Sequence, residues 1–393
     1  MFSLCTNLKT LIIDYESLEN TYKGDKYFNQ TIVDLSKAYK LFFLCNNDNL
    51  NIEGVETIQV SLNNYNSFSF FLSNNQIVPM HTIIITSSIS AVERGHQFNI
   101  STILLREKHP YNINHKYLPD VILNIKYLRK QLLEGQNYGN INEMVVENVK
   151  GTGFVYPIGE IKHQLINNVK ANLIYSGRYF TSKDPRSYTH CLSNIILKLK
   201  NKKSYAINAL AICLEKNIEI IKRDYIKDIN QITVVPGKPG EDNHLDLLLN
   251  HSNLDKYRSN IDTKLLYTMT NYKKQKEAGS FLDRANNVLG VFNVRRNVRG
   301  HVLLIDDILT SGSTTMECAK MLYSQGAEKV TVLPLAIMQS ESNAQFSERI
   351  KDLEGNEFSL NFKKIDSTPF WASKKKYLGY NEGKEKYLSQ NFI

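Results

Sequence analysis

Short continuous apolar runs recur along the first third of the chain. Thr10–Asp14 (TLIID), Lys40–Cys45 (KLFFLC), Glu56–Val60 (ETIQV), Thr82–Thr86 (TIIIT) and Ser101–Leu105 (STILL) are five or six residues each. Segments with helical periodicity, such as Asp25–Tyr39 and Ser88–Gln97, lie between them. Pro119–Glu134 combines a short strand with a closing helix. Unbroken apolar strands alternating with helices predict a parallel sheet covered on both faces. The polar, glycine-containing stretch Gly135–Glu143 then marks a linker. A second alternation follows, with strands expected at Leu173–Tyr175, Ser204–Ala206, Ile232–Pro236, Lys264–Thr268, His301–Asp306 and Lys329–Leu335. A helix from Ser313 to about Gln325, stopped by Gly326, fits between the last two. The pattern predicts an α/β protein with two Rossmann-like parallel-sheet domains. The expected divisions are residues 1–135, a linker at 136–150, a second domain at 151–340, and a C-terminal helix and tail at 341–393.

Composition narrows this picture only in places. A length of 393 residues suits two domains, and a hydrophobic fraction of 42% suffices for two cores. No apolar run approaches the roughly 18 residues that cross a bilayer, so no membrane association is expected. The N-terminus lacks the basic and apolar regions of a secretion signal. The five cysteines are scattered without a CxxC pair, which fits the reduced cytoplasm. The formal charge of +9 suits phosphate-bearing ligands or nucleic acid. The chain is also rich in Lys, Asn, Ile and Tyr, as an AT-rich genome would make it, so the surplus by itself decides little.

The sharpest chemical signal is HVLLIDDILTSGSTT, His301–Thr315. A buried strand ends on two carboxylates, Asp306 and Asp307, and a loop of small hydroxyl residues around Gly312 leads into a helix. The first N–H groups of a helix lack internal partners and favour an anion. Small side chains let that backbone approach a phosphate, and Thr310, Ser311, Ser313 and Thr314 add hydroxyl donors. Two acids beside a phosphate need donors or a cation, which ribose hydroxyls and a Mg²⁺ shell supply. The constellation therefore suits a sugar phosphate with vicinal hydroxyls. A Walker A loop and a GxGxxG fingerprint are both absent.

This segment resembles the phosphoribosyl pyrophosphate (PRPP) loop of type I phosphoribosyltransferases, above all the ComF-like branch. YSGRYF (Tyr175–Phe180), ITVVPGKPG (Ile232–Gly240) and KQKEAGSFLDRANNVLGVFNV (Lys274–Val294) follow the order of that branch, and the similarity covers about Gly151 to Ala336. The resemblance implies that Asp306 and Asp307 hold the ribose hydroxyls and, through these or water, Mg²⁺. It implies that Leu309, Thr310, Ser311, Gly312, Ser313 and Thr314 hold the 5′-phosphate. Lys238 and Pro239 would belong to the pyrophosphate loop, and Lys273, Lys274, Lys276 and Arg284 to a loop closing over the leaving group. The implied reaction is Mg²⁺-assisted displacement of pyrophosphate from PRPP by an acceptor that the sequence does not name. Two features depart from the branch. The N-terminal zinc-binding cysteines are missing, and Gly237–Asp246 replaces the usual segment rich in proline and arginine.

The first domain resembles a haloacid dehalogenase (HAD)-like fold with a minimal cap, over about Lys9 to Glu134. TLIIDYESL resembles its first motif, with Asp14 at the nucleophile position but Glu16 at the general-acid position. The acidic metal ligands of the last motif align with Ser87 and Ala91, and Asn46 or Asn47 replaces a Ser/Thr phosphate binder. A site without its anionic ligands loses what holds a hard cation. The domain is expected to be non-catalytic and to serve docking or regulation.

The tail interleaves Lys363, Lys364, Lys374, Lys375 and Lys376 with Phe370, Trp371, Tyr377 and Tyr380. That pattern suits single-stranded nucleic acid, and equally aromatics packed on the domain with lysines in water. Two functions follow. One is a phosphoribosyltransferase. The other is a PRPP- or nucleotide-binding subunit without turnover, acting in a complex with nucleic acid, another copy or a protein partner, for example in antiviral defence.

Overall fold

The computed structural model describes residues 5, 7–45, 55–107, 117–136, 143, 156–163, 165–166, 169–181, 187, 190–273, 280–339, 349–351 and 357–359. The protein is α/β and contains two large sheets. The first is built from β1 (Thr10–Asp14), β2 (Lys40–Leu44), β3 (Glu56–Ile58), β4 (Thr82–Thr86), β5 (Ser101–Leu105) and β6 (Val121–Leu123). All are parallel, in the order β3-β2-β1-β4-β5-β6.

Helices cover both faces, which is why the strands are continuous apolar runs rather than alternating ones. Alternate residues serve different cores. Leu11 and Ile13 join a core with α1 (Tyr15–Tyr22), α2 (Lys26–Ala38) and α5 (Ile125–Leu132). Ile12 turns the other way, against Phe68, Phe71 and Leu72 of α3 (Tyr65–Asn74) and Ala91 of α4 (Ile89–Gln97). Asp25 starts α2 by accepting hydrogen bonds from the backbone of Tyr27 and Phe28, at 2.8 and 3.0 Å.

The second sheet contains β7 (Tyr156–His163), β8 (Val169–Tyr175), β9 (Arg178–Tyr179), β10 (Gln231–Val234), β13 (His301–Leu309), β14 (Lys329–Met338), β15 (Arg349–Lys351) and β16 (Glu357–Ser359). Its order is β10-β13-β14-β8-β7-β15-β16, with β9 paired to the end of β14. The stretch β10-β13-β14-β8 is parallel. From β7 onward the pairing is antiparallel. The helices here are α6 (Cys191–Lys200), α7 (Ser204–Asp224), α8 (His244–Leu249), α9 (Phe281–Asn286) and α10 (Ser313–Ser324). A separate antiparallel ribbon joins β11 (Leu266–Thr268) to β12 (Phe292–Val294).

Three expectations change. Ser204–Ala206 is the first turn of α7, not a strand. Its apolar residues belong to a helical stripe through Ala206, Leu210, Leu214, Ile218 and Ile221, all buried at spacings of three or four. Lys264–Thr268 contributes to the ribbon rather than the main sheet. β7 lies outside the sequence expectation because Pro157 and Gly159, with a register shift between them, interrupt the strand signal.

The two halves do not keep separate cores. Val92, Leu104, Tyr117, Leu118 and Ile122 of the first half pack into the large core of the second. Most of the linker and the whole basic aromatic tail lie outside the described residues. Among the described residues, no helix is long and apolar enough to cross a membrane.

Candidate functional site

Val302, Leu303, Leu304 and Ile305 are fully buried in the centre of the second sheet. β10 pairs with β13 only as far as Val234 opposite Ile305. The Val235 amide donates to the Ile305 carbonyl at 2.9 Å, and the chain then departs at Pro236. β13 runs on beside β14 to Leu309 opposite Ile337. The strand therefore ends three residues later than the apolar pattern predicts, because the long β14 continues to supply a partner. Asp306 and Asp307 stand at the step where the neighbouring strand is lost.

Consecutive strand residues face opposite sides. Asp306 faces α10, where its Oδ2 accepts the Thr315 hydroxyl at 2.8 Å. Its Oδ1 accepts the Asp307 amide at 2.8 Å. Asp307 faces the other layer. Its Oδ2 lies 2.9 Å from Lys200 Nζ and 3.0 Å from His244 Nε2, a nitrogen that must carry the proton to meet a carboxylate. Burial and the neighbouring Asp307 push the Asp306 carboxyl up to about 7, against the Thr315 hydrogen bond. Burial would also raise Asp307, but Lys200 and His244 outweigh it and hold the carboxyl well below the usual range. The adjacent acids thus differ in charge preference.

Gly312 begins α10 with φ 77°, a left-handed conformation that glycine adopts without strain, and no side chain caps the helix. The Ser313 amide donates to Ser311 Oγ at 3.4 Å, and the helix N-terminus as a whole still favours an anion. The loop hydroxyls divide. Ser311 and Ser313 are buried, with Oγ atoms 3.0 Å apart, and His163 Nε2 of β7 lies 3.2 Å from Ser313 Oγ. They brace the loop from beneath. Thr310 and Thr314 are half-buried at its surface. Burial depresses His163 to about 4, so it is neutral at pH 7.

The Pro236–Gly240 turn leaves β10 beside this step. The Thr268 hydroxyl donates to the Gly237 carbonyl at 2.7 Å, tying the ribbon to the turn. A Cβ on Gly237 would lie 3.3 Å from Asn243 Cβ, so the turn is closely packed there. Lys238 Nζ stands 5.4 Å from the ring centre of Tyr272, and Pro239 is exposed. Burial raises the Tyr272 phenol, and charges that include Asp306 and Asp307 raise it further, which places the ring near both acids. Lys273 is exposed, with its amide held by Asn287 Oδ1 at 3.0 Å. Arg284 is 5% exposed, so it lies inside the α9 layer rather than at its surface. Lys274 and Lys276 lie outside the described residues.

Lys200 and His244 are absent from the sequence reading. Lys200 ends a helix whose composition suggests only a solvated last turn. His244 follows the glycine turn within eight residues of Pro236, and that position beside a loop was the available signal.

The expected Mg²⁺ needs anionic oxygen ligands. Asp307 already shares its charge with Lys200 and His244, and a dication there would face an ammonium 2.9 Å from the same oxygen. Asp306 favours protonation. Among the described residues, no cluster of three His, Cys, Asp or Glu could hold a metal. The two aspartates as arranged do not suit direct ligation of Mg²⁺, and only contact through ribose hydroxyls or water is left to them.

In the first sheet, chain progression reverses between β1 and β4, and Asp14 lies at their C-terminal ends. Such points form ligand crevices in open α/β sheets. Here the crevice is filled by its own donors. Thr86 donates to Asp14 at 2.6 Å, Ser17 contacts Thr86 at 3.0 Å, and the Ser87 amide donates to Ser17 at 3.0 Å. Glu16 turns away and accepts from Ser61 at 3.1 Å. Ala91 is buried in the apolar core, and Asn46 and Asn47 lie outside the described residues.

The class defined by these features is a two-sheet α/β protein with an anion-suited strand–loop–helix at the C-terminal end of an interior strand of its second sheet. No family model matches the chain, and no curated protein matches it. Among solved structures, the UMP synthase of Leishmania donovani aligns over 97% of this chain and 76% of its own, at 10% identity and a TM-score of 0.21. At that score the likeness carries no argument about fold or activity.

Proposed function

We propose that the second half binds PRPP at the Asp306–Thr314 step and transfers its phosphoribosyl group to an acceptor. The observation that carries this reading is the coupling of Gly312, left-handed and without a side-chain cap at the start of α10, to the two acids five and six residues earlier. The α10 amides would receive the 5′-phosphate, and the acids would receive ribose hydroxyls. Lys238, in the turn that follows the adjacent strand β10, would face the diphosphate.

In the reaction the anomeric C–O bond breaks and its electron pair leaves with pyrophosphate. A bond from the acceptor forms at that carbon, and the acceptor loses a proton. The carbon passes through an oxocarbenium-like state, as in other glycosyl transfers. The contribution of this chain is to hold the phosphate, neutralise the departing diphosphate with Lys238 and Lys273, and exclude water. Thr268 supports that role by fixing the ribbon to the glycine turn.

A second reading, binding without turnover, is favoured by the engagement of Asp307 with Lys200 and His244 of its own chain. Full-length protein is incubated with PRPP and a panel of bases, nucleosides and nucleotides, and both binding heat and pyrophosphate release are followed. Pyrophosphate release that disappears in Asp306→Ala/Asp307→Ala supports transfer. Binding without release across the panel supports the second reading, and absence of PRPP binding refutes both.

A further inference from the structure

A lysine and a histidine from separate helices converge on a single carboxylate oxygen. Lys200 is the last residue of α6, which Leu192, Ile196 and Leu199 anchor in the core. His244 is the first residue of α8, whose N-cap Asn243 also donates to the Val235 carbonyl at 2.9 Å. That bond ties His244 to the end of β10. Both side chains meet Asp307 Oδ2, at 2.9 and 3.0 Å.

The arrangement bears on how an anion enters. An unpaired acid pair repels a phosphate and requires a dication to offset that charge. Here Lys200 alone neutralises Asp307, and Nε2–H of His244 adds a second donor. Asp307 retains Oδ1, which accepts the Ile308 amide at 2.6 Å and has a second lone pair. A ribose hydroxyl could therefore donate to the carboxylate without displacing the lysine.

We propose that Lys200, with His244 as a second donor, acts as a built-in cation at Asp307, making sugar-phosphate binding at this site independent of a divalent metal. The proposal rests on the reading of Asp306–Thr314 as a ribose-phosphate site and goes beyond it by naming its counter-charge. It also assigns a specificity role. The site would accept the metal-free form of PRPP and of ribose 5-phosphate.

The test is calorimetric titration of full-length protein with ribose 5-phosphate and with PRPP, each in EDTA and in Mg²⁺. Wild-type affinity is expected to agree within about threefold between the two conditions. Lys200→Met is expected to lose about tenfold or more in EDTA and to recover part of it with Mg²⁺, while Lys200→Arg retains binding. His244→Gln, on a different helix, keeps a donor and is expected to lose less. Thermal unfolding of each variant separates a folding defect from a binding defect. Wild-type binding that requires Mg²⁺, or a folded Lys200→Met with wild-type metal dependence, would overturn this proposal and leave the site reading standing. Failure of both probes in both conditions would instead remove the site reading, and this proposal with it.

Discussion

Arg178 Nη2 meets Asp120 Oδ1 at 2.9 Å, joining the second sheet to the first with both side chains sealed from water. The same guanidinium also pairs with Glu143 at 3.2 Å and donates to the Leu118 carbonyl at 3.2 Å. Glu143 in turn pairs with His190. Burial opposes ionisation of Glu143, but Arg178 and His190 prevail and hold it at about 2. Removing the guanidinium would take the buried counter-charge from Asp120 and leave Glu143 to His190. Arg178→Met is expected to cost about 3–5 kcal/mol, read as a lowered urea midpoint. Adding Glu143→Gln should restore part of that loss. An unchanged midpoint in Arg178→Met would show that the network does not hold the halves together.

Gly312 tests the anion cradle. Its φ of 77° is costly for a residue with a Cβ. Gly312→Ala should lower stability by about 1–2 kcal/mol and weaken PRPP binding more than Ala substitutions elsewhere on α10. Normal affinity in a folded Gly312→Ala protein would argue against the α10 amides as the phosphate site.

His163 predicts acid sensitivity. Burial lowers it from 6.5 to about 4, so the unfolded chain takes up its proton first. Its contribution to stability is present above pH 6.5 and is lost as pH falls through about 4. Glu143 adds a second, more acidic window, with its contribution lost between 4.5 and about 2. Urea midpoints measured against pH should decline through the first window in wild type. His163→Gln should flatten that decline, and an equally steep profile in the variant would count against His163.

Asp14 separates a silent crevice from an active one. Burial raises its carboxyl, so the fold carries a penalty for ionising it as pH rises. Asp14→Asn keeps an acceptor for the Thr86 hydroxyl and should be neutral or slightly stabilising at pH 8. Neither protein should hydrolyse a phosphomonoester. Hydrolysis by wild type that vanishes in Asp14→Asn would show that the first half is an enzyme.

Much of the fold is legible along the chain because its signals are local. The apolar runs at Leu11–Ile13, Ile83–Ile85 and Val302–Ile305 identify buried parallel strands, and each is one. The turn at Gly312 is equally local, since a left-handed residue before an amphipathic helix needs no distant partner. Ser204–Ala206 shows the limit. Three apolar-flanked residues suit either a strand or a helix, and only the stripe continuing to Ile221 decides between them.

Sequence by itself determined the two α/β halves, the acidic step and the glycine-led helix start, because periodicity and backbone preference act between near neighbours. Tertiary structure decided which charges meet. It set His244 and Lys200 on Asp307, drew Ser311 and Ser313 beneath the loop, and buried Arg178 against Asp120 and Glu143. It also merged Leu104 and Ile122 of the first half into the second core. Those contacts join residues far apart in the chain, and their energies depend on distance and burial, which only the packed fold supplies.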